Sequence, residues 1–144
     1  TLTLTPPTNR IINHNELPLV KDELSITLKI NLMSHDVGWA AVFHKGRAKY
    51  TERTPSLWLT PENSALYPRY TTNIEMSRGI DGILDGKWVG FSSIILVQNQ
   101  FVIFNDAPLY IGNDTYYNGI NGQISNFRYY NFALSRGEVE MDYL

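Results

Sequence analysis

Cysteine is absent from the 144 residues, so neither a disulfide framework nor a thiolate metal site can form, and cysteine usage says nothing of the redox compartment. Charge is scarce as well, at 18% of residues against the usual quarter. Twelve Lys+Arg and fourteen Asp+Glu give 12 − 14 = −2 at pH 7. Without a basic excess or stripe there is no electrostatic footprint for nucleic acid. No run approaches the ~20 apolar residues of a membrane-spanning helix, so membrane insertion is not expected. Linker-like tracts, low-complexity segments and internal repeats are also missing, and residues 1–144 read as one domain. The chain starts at Thr1 with neither an initiator Met nor a signal-peptide pattern, which reads as a processed product or an excised piece of a longer protein.

What is present is apolar and aromatic: 43% hydrophobic residues, 12% aromatic, nine of them Tyr, with Asn, Thr, Ser and Tyr left to make the surface polar. Leu24 to Leu32 alternates apolar and polar at every step, the period of a strand with one face on a core. Trp39 to His44 predicts a more fully buried strand that ends at the Lys45-Gly46 turn. Ser56 to Leu59 and Leu66 to Thr72 predict shorter strands, and Pro68 makes the second an edge or a bulged strand. Trp88 to Val97 reads as a central strand, followed by Phe101 to Phe104, Leu109 to Ile111, a polar loop from Gly112 to Gly119 and a last strand from Gln123 to Tyr130. Helix is confined to the tail, where Ser135 and Glu138 have the spacing of a capping box. Short strands punctuated every eight to twelve residues predict an all-β antiparallel sandwich or barrel.

Catalytic signatures are missing. Gly79, Gly82 and Gly86 have no helix to follow them, so no phosphate loop is formed, and no Ser lies in a Gly-x-Ser-x-Gly elbow. Glycoside hydrolysis needs two carboxyls across a cleft. The Glu-x-Asp-x-x-Glu strand of sandwich glycosidases does not occur, Glu138 and Glu140 fall in the tail, and Asp81 and Asp85 belong to Asp-Gly turns. The chain is therefore expected not to be an enzyme.

Metal ligation has little to draw on. His14, His35 and His44 are scattered and read as ordinary loop and strand-end histidines, so no zinc site is expected. Calcium tolerates looser spacing, and the oxygen-rich set Asp106, Asn113, Asp114 and Asn118 leaves it open as a cofactor, although turns favour the same residues. Trp39, Trp58 and Trp88 lie in strand-like runs and are expected in the core. Tyr116 and Tyr117 differ, because two neighbours in a polar loop do not both bury easily; at least one should face solvent. With Asn113, Asp114 and Asn118 around them, they form the candidate ligand-binding loop: rings to stack on a sugar, amides and a carboxylate to bond its hydroxyls. Asn113-Asp114-Thr115 is also a glycosylation sequon, meaningful only for a secreted eukaryotic chain. Arg128, between Phe127 and Tyr129, should point away from the core.

The C-terminal third adds a resemblance. Pro108-Leu109-Tyr110-Ile111-Gly112, then Gly119 to Gly122, then Gln123 to Ser135 and Glu138 resembles the end of the laminin G-like, concanavalin A-like jelly-roll family, "l-y-I-G", a turn and "G-x-I-D-x-V/F-R-I-Y-N-x-A-L-S-x-x-E". Phe43-His44-Lys45-Gly46 is similar to its "f-x-K-G" turn, and Gly86-Lys87-Trp88 to its "g-x-W" strand start. Residues 20 to 144 carry the resemblance, with 1–19 an N-terminal extension or a first strand. It implies a two-sheet antiparallel jelly roll that acts as a lectin-like or adhesion module, binding glycan or protein at a cell, extracellular or virion surface. Two departures stand out. Ser125 and Asn126 replace the acidic position that often holds the family's calcium, which argues against carrying that metal over. Phe104 to Ala107 takes the place of its "Y-x-N-G" hairpin in shortened form. The alternative is a structural or assembly domain that packs against other subunits and has no small ligand; a glycoside hydrolase is the third and weakest reading.

Overall fold

The structure is a computed structural model that describes residues 2–4, 10–49, 51–74, 77–79, 99–135 and 137–138. Nine strands are defined in it: β1 (Leu2–Leu4), β2 (Arg10–Ile12), β3 (Ser25–Leu32), β4 (Ala40–Lys45), β5 (Ser56–Leu59), β6 (Leu66–Tyr70), β7 (Arg78–Gly79), β8 (Leu109–Ile111) and β9 (Gly122–Tyr130). They form two antiparallel sheets, one of three strands in the order β1-β9-β3 and one of six in the order β2-β8-β4-β5-β6-β7. The expected strands near residues 24–32, 39–44, 56–59, 66–72, 109–111 and 123–130 correspond to β3, β4, β5, β6, β8 and β9. Residues 1–19, read as an extension or a first strand, contribute a short strand to each sheet. The expected strand from Trp88 to Val97 and the turns around Asp81 and Asp85 lie outside the described residues.

The period-two pattern explains how the sheets meet. Leu57 and Leu59 of β5, Leu109 and Ile111 of β8 and Ala40, Val42 and Phe43 of β4 turn one face of the larger sheet inward. Ile26, Leu28, Ile30 and Leu32 of β3 and Ile124, Phe127 and Tyr129 of β9 face them from the smaller sheet, and the Phe43 and Phe127 rings meet edge to face at 5.6 Å. This packing fits a β-sandwich, two antiparallel sheets facing each other across one apolar layer. Two bulges tune the alternation. A register shift between Ala41 and Phe43 sends both Val42 and Phe43 into the core. Another, opposite Thr27 and Lys29, places Asn126 at φ 52°, a left-handed conformation that Asn tolerates better than most. It resets β9 so that Phe127 and Tyr129 point inward and Arg128 is exposed, as expected from its position between them.

Pro68 sits in β6 without conflict. β7 pairs only with Arg69 and Tyr70, so on the side away from β5 Pro68 meets no strand among the described residues. The expected strand over 101–104 is reduced to a single Thr72–Val102 bridge. At the tail the capping box forms: Glu138 N–H donates to Ser135 Oγ at 3.2 Å and Ser135 N–H donates to Glu138 Oε1 at 3.3 Å.

Candidate functional site

Residues 112–119 build the site by returning across the outer face of the larger sheet. The chain leaves β8 at Gly112, whose φ of 94° suits glycine and whose N–H donates to Val42 O at 2.9 Å. It comes back at Gly119, which bridges Ala41 in parallel, while Ala41 N–H donates to Asn118 O at 2.8 Å and Ile120 N–H to Ala41 O at 3.1 Å. Asn113 closes the neck, its side-chain oxygen accepting Gly119 N–H at 2.6 Å.

Asp114 shapes the interior of the loop. One carboxylate oxygen accepts the amides of Tyr116 and Tyr117 at 2.7 and 2.8 Å, and Asp114 N–H donates to Tyr117 O at 3.0 Å. This is the turn chemistry that favours Asp here, a short acceptor reaching amides two and three residues ahead. The other oxygen accepts the indole N–H of Trp58 at 2.6 Å. The side chain is wholly shielded from solvent, so these N–H donors replace the water that the charge has lost.

His44 lies beside Asp114, also fully buried. Its Nε2 is 2.7 Å from Glu52 O; a carbonyl only accepts, so Nε2 carries the proton. Nδ1 is left with a lone pair, 3.7 Å from Asp114 Oδ2 and with no hydrogen-bond partner among the described residues. Burial pushes the imidazole pKa below its ordinary value, outweighing the Glu52 carbonyl and the Asp114 charge that favour the proton. Gly46 makes the arrangement possible, since a Cβ there would lie 2.1 Å from Glu52 O and 2.7 Å from His44 Nε2. His44 stands near the end of β4, as its place in the sequence predicts, and is wholly buried there. A bulged strand places it under the loop.

Above this base the aromatic rings converge. Leu57 and Leu59 face the core, so Trp58 between them takes the opposite face, buried but beneath the loop rather than between the sheets. Tyr116 and Tyr117 stand almost perpendicular to it, with ring centroids 6.0 and 6.2 Å away. Trp39 is only half-buried; it stacks on Tyr117 at 6.0 Å and meets the edge of Tyr67 at 4.8 Å. The expectation of burial holds for Trp58, although on the loop side of its sheet, and is corrected for Trp39, which is only half-buried. Arg53 lies over the rings of Trp58 and Tyr116 at 5.1 and 5.5 Å, and Arg69 over Tyr67 at 3.3 Å. These aromatic side chains and Arg53 line a pocket of about 150 Å³.

The structure brings Tyr116, Tyr117 and Asp114 together and gives them different positions. Both tyrosines are 36% exposed at the pocket, Asp114 lies beneath it, Asn113 holds the loop neck, and Asn118 is exposed beside it. Asp106 goes elsewhere, to Arg47 at 2.9 Å, so the oxygen-rich set weighed for calcium is divided. Among the described residues no three His, Cys, Asp or Glu side chains converge as a metal-binding group.

A larger cavity of about 620 Å³ opens at the end of the inter-sheet space, lined by Lys45, His14, Asn105 and Tyr129 among others. Burial lowers the Lys45 pKa to about 8 and raises that of Tyr129 to about 12. The Lys45 ammonium is engaged by His14 Nδ1 at 3.0 Å and by the Asn105 carbonyl at 2.5 Å, which ties η1 (His14–Glu16) to the sandwich. No known family, curated protein or solved structure matches the chain.

Proposed function

We propose that this chain is a non-catalytic, lectin-like binding module, laminin G-like with jelly-roll connectivity, whose aromatic pocket takes a neutral glycan. The observation that carries the reading is the convergence of Trp39, Trp58, Tyr67, Tyr116 and Tyr117, from four separate segments, around one small pocket. Burying aromatic area to form an inter-sheet core is ordinary; gathering it on the opposite face, with Tyr116 and Tyr117 left 36% exposed, suits a ligand. A sugar offers an apolar C–H face for the rings and hydroxyls for the exposed phenols.

Charge narrows the choice. The faces of Trp58 and Tyr116 already carry the Arg53 guanidinium, so a ligand cation would be repelled where an aromatic cage would need to attract it. Asp114, the carboxylate under the loop, is committed to its N–H donors and shielded from water, an arrangement that favours positioning over acid–base chemistry. In this reading Tyr116 and Tyr117 contact the glycan, with Asn118 at the rim. Asn113 and Asp114 hold the loop, and calcium plays no part. A single weak site of this kind gains useful strength as one of several copies on a cell or virion surface.

A glycan array followed by calorimetric titration of a retained glycan tests the proposal. Micromolar-to-millimolar binding, lost in the folded Tyr116→Ala, Tyr117→Ala double variant and unchanged by chelator, is expected. An array that retains nothing, or a double variant that binds like the parent, overturns it.

A further inference from the structure

The shape of the pocket bears on which part of a glycan enters it, a question that rests on the glycan reading above. The space is small, about 150 Å³, and open at its mouth, so it can seat one sugar ring but not a run of them. The ring planes are also not aligned as a platform. Trp58 makes angles of 89° and 86° with Tyr116 and Tyr117 and Trp39 makes 71° with Tyr67, while Trp39 and Tyr117 alone lie near parallel, at 21°. A chain lying lengthwise needs coplanar rings in a row, one per sugar; perpendicular rings make the walls and floor of a box.

The walls are fixed from behind. Trp58 is 2% exposed and held by Asp114, Tyr67 lies under Arg69, and the Arg53 backbone donates to Thr71 Oγ1 at 3.1 Å while its guanidinium donates to Ser77 Oγ at 3.2 Å. A box with anchored walls holds its shape before the ligand arrives and keeps its size limit.

We infer that the pocket is a single-ring subsite, taking the non-reducing terminal residue of a neutral glycan end-on and leaving the rest of the chain outside. Affinity then resides in one ring, and lengthening the glycan adds little.

The test titrates the full chain with methyl glycosides of glucose, galactose, mannose and N-acetylglucosamine and with the matching tetrasaccharides. Each tetrasaccharide is used both free and with a benzylidene acetal blocking its non-reducing ring. For the sugar that binds, the methyl glycoside should come within about threefold of the free tetrasaccharide, and the blocked one should fall by more than about tenfold, a loss of ~1.4 kcal/mol or more. A blocked tetrasaccharide that binds like the free one, with a silent methyl glycoside, overturns end-on entry while leaving the glycan reading intact. Silence from all twelve probes overturns both.

Discussion

The indole N–H of Trp58 donates to Asp114 at 2.6 Å, and the same carboxylate accepts the amides of Tyr116 and Tyr117. One buried charge thus joins β5 to the loop that carries the exposed tyrosines. Asp114→Ala removes these bonds together and strands the indole N–H of the buried Trp58, so it should cost ~3 kcal/mol, near the upper range for such a loss. Asp114→Asn keeps an acceptor for the tyrosine amides and should cost ~1 kcal/mol. Urea denaturation of the two variants measures both, and equal costs would show that the loop does not depend on the carboxylate.

His44 should make stability depend on pH. Its folded pKa lies below the unfolded value near 6.5, so the unfolded chain binds the extra proton first. The contribution is complete above pH 6.5 and declines as pH falls below it toward the lower folded value. Melting temperature should therefore drop from pH 6.5 to pH 5, and His44→Gln should flatten that part of the profile. A profile of the same slope in both proteins would contradict the assignment.

Gly46→Ala should damage the site from a distance. Its Cβ would meet Glu52 O at 2.1 Å, backbone that has no flexible end to swing aside. The chain between Gly46 and Glu52 must then shift, and the His44 imidazole loses its 2.7 Å acceptor. Amide exchange in residues 44–52 should speed up markedly, while the β3–β9 ladder, on the other sheet, stays protected.

Leu109→Ala tests the core separately. Leu109 is fully buried among residues of both sheets, and truncation should cost ~2–5 kcal/mol. The double Tyr116→Ala, Tyr117→Ala change, at half-open positions, should cost less than ~1.5 kcal/mol in the same denaturation assay. The two effects separate packing from recognition.

Much of the sandwich is written in period-two alternation. Leu24 to Leu32 and Gln123 to Tyr130 predict β3 and β9 to within a residue at either end because each strand buries one face. The bulges at Val42 and Asn126 are not legible, since they depend on the opposing strand. Tyr116 and Tyr117 stand out in sequence because they are conspicuous in a polar loop. Their partners do not: Trp39, Trp58, Tyr67 and Arg53 are spread over 29 residues and meet only when β4, β5 and β6 align. One clue was available for Trp58, since a residue between Leu57 and Leu59 in a strand cannot share their face. Nothing local distinguishes His44 from His14 or His35; burial under the loop does so.

The most direct test of the central claim is a ¹H–¹⁵N spectrum of the full chain as an array-selected neutral glycan is added. If the aromatic pocket is the site, the indole N–H signals of Trp39 and Trp58 and the amides of Tyr116, Tyr117 and Asn118 shift together and saturate with one dissociation constant. Shifts confined to the end of the sandwich around Lys45, Asn105 and His14, with the two indoles unmoved, would contradict it.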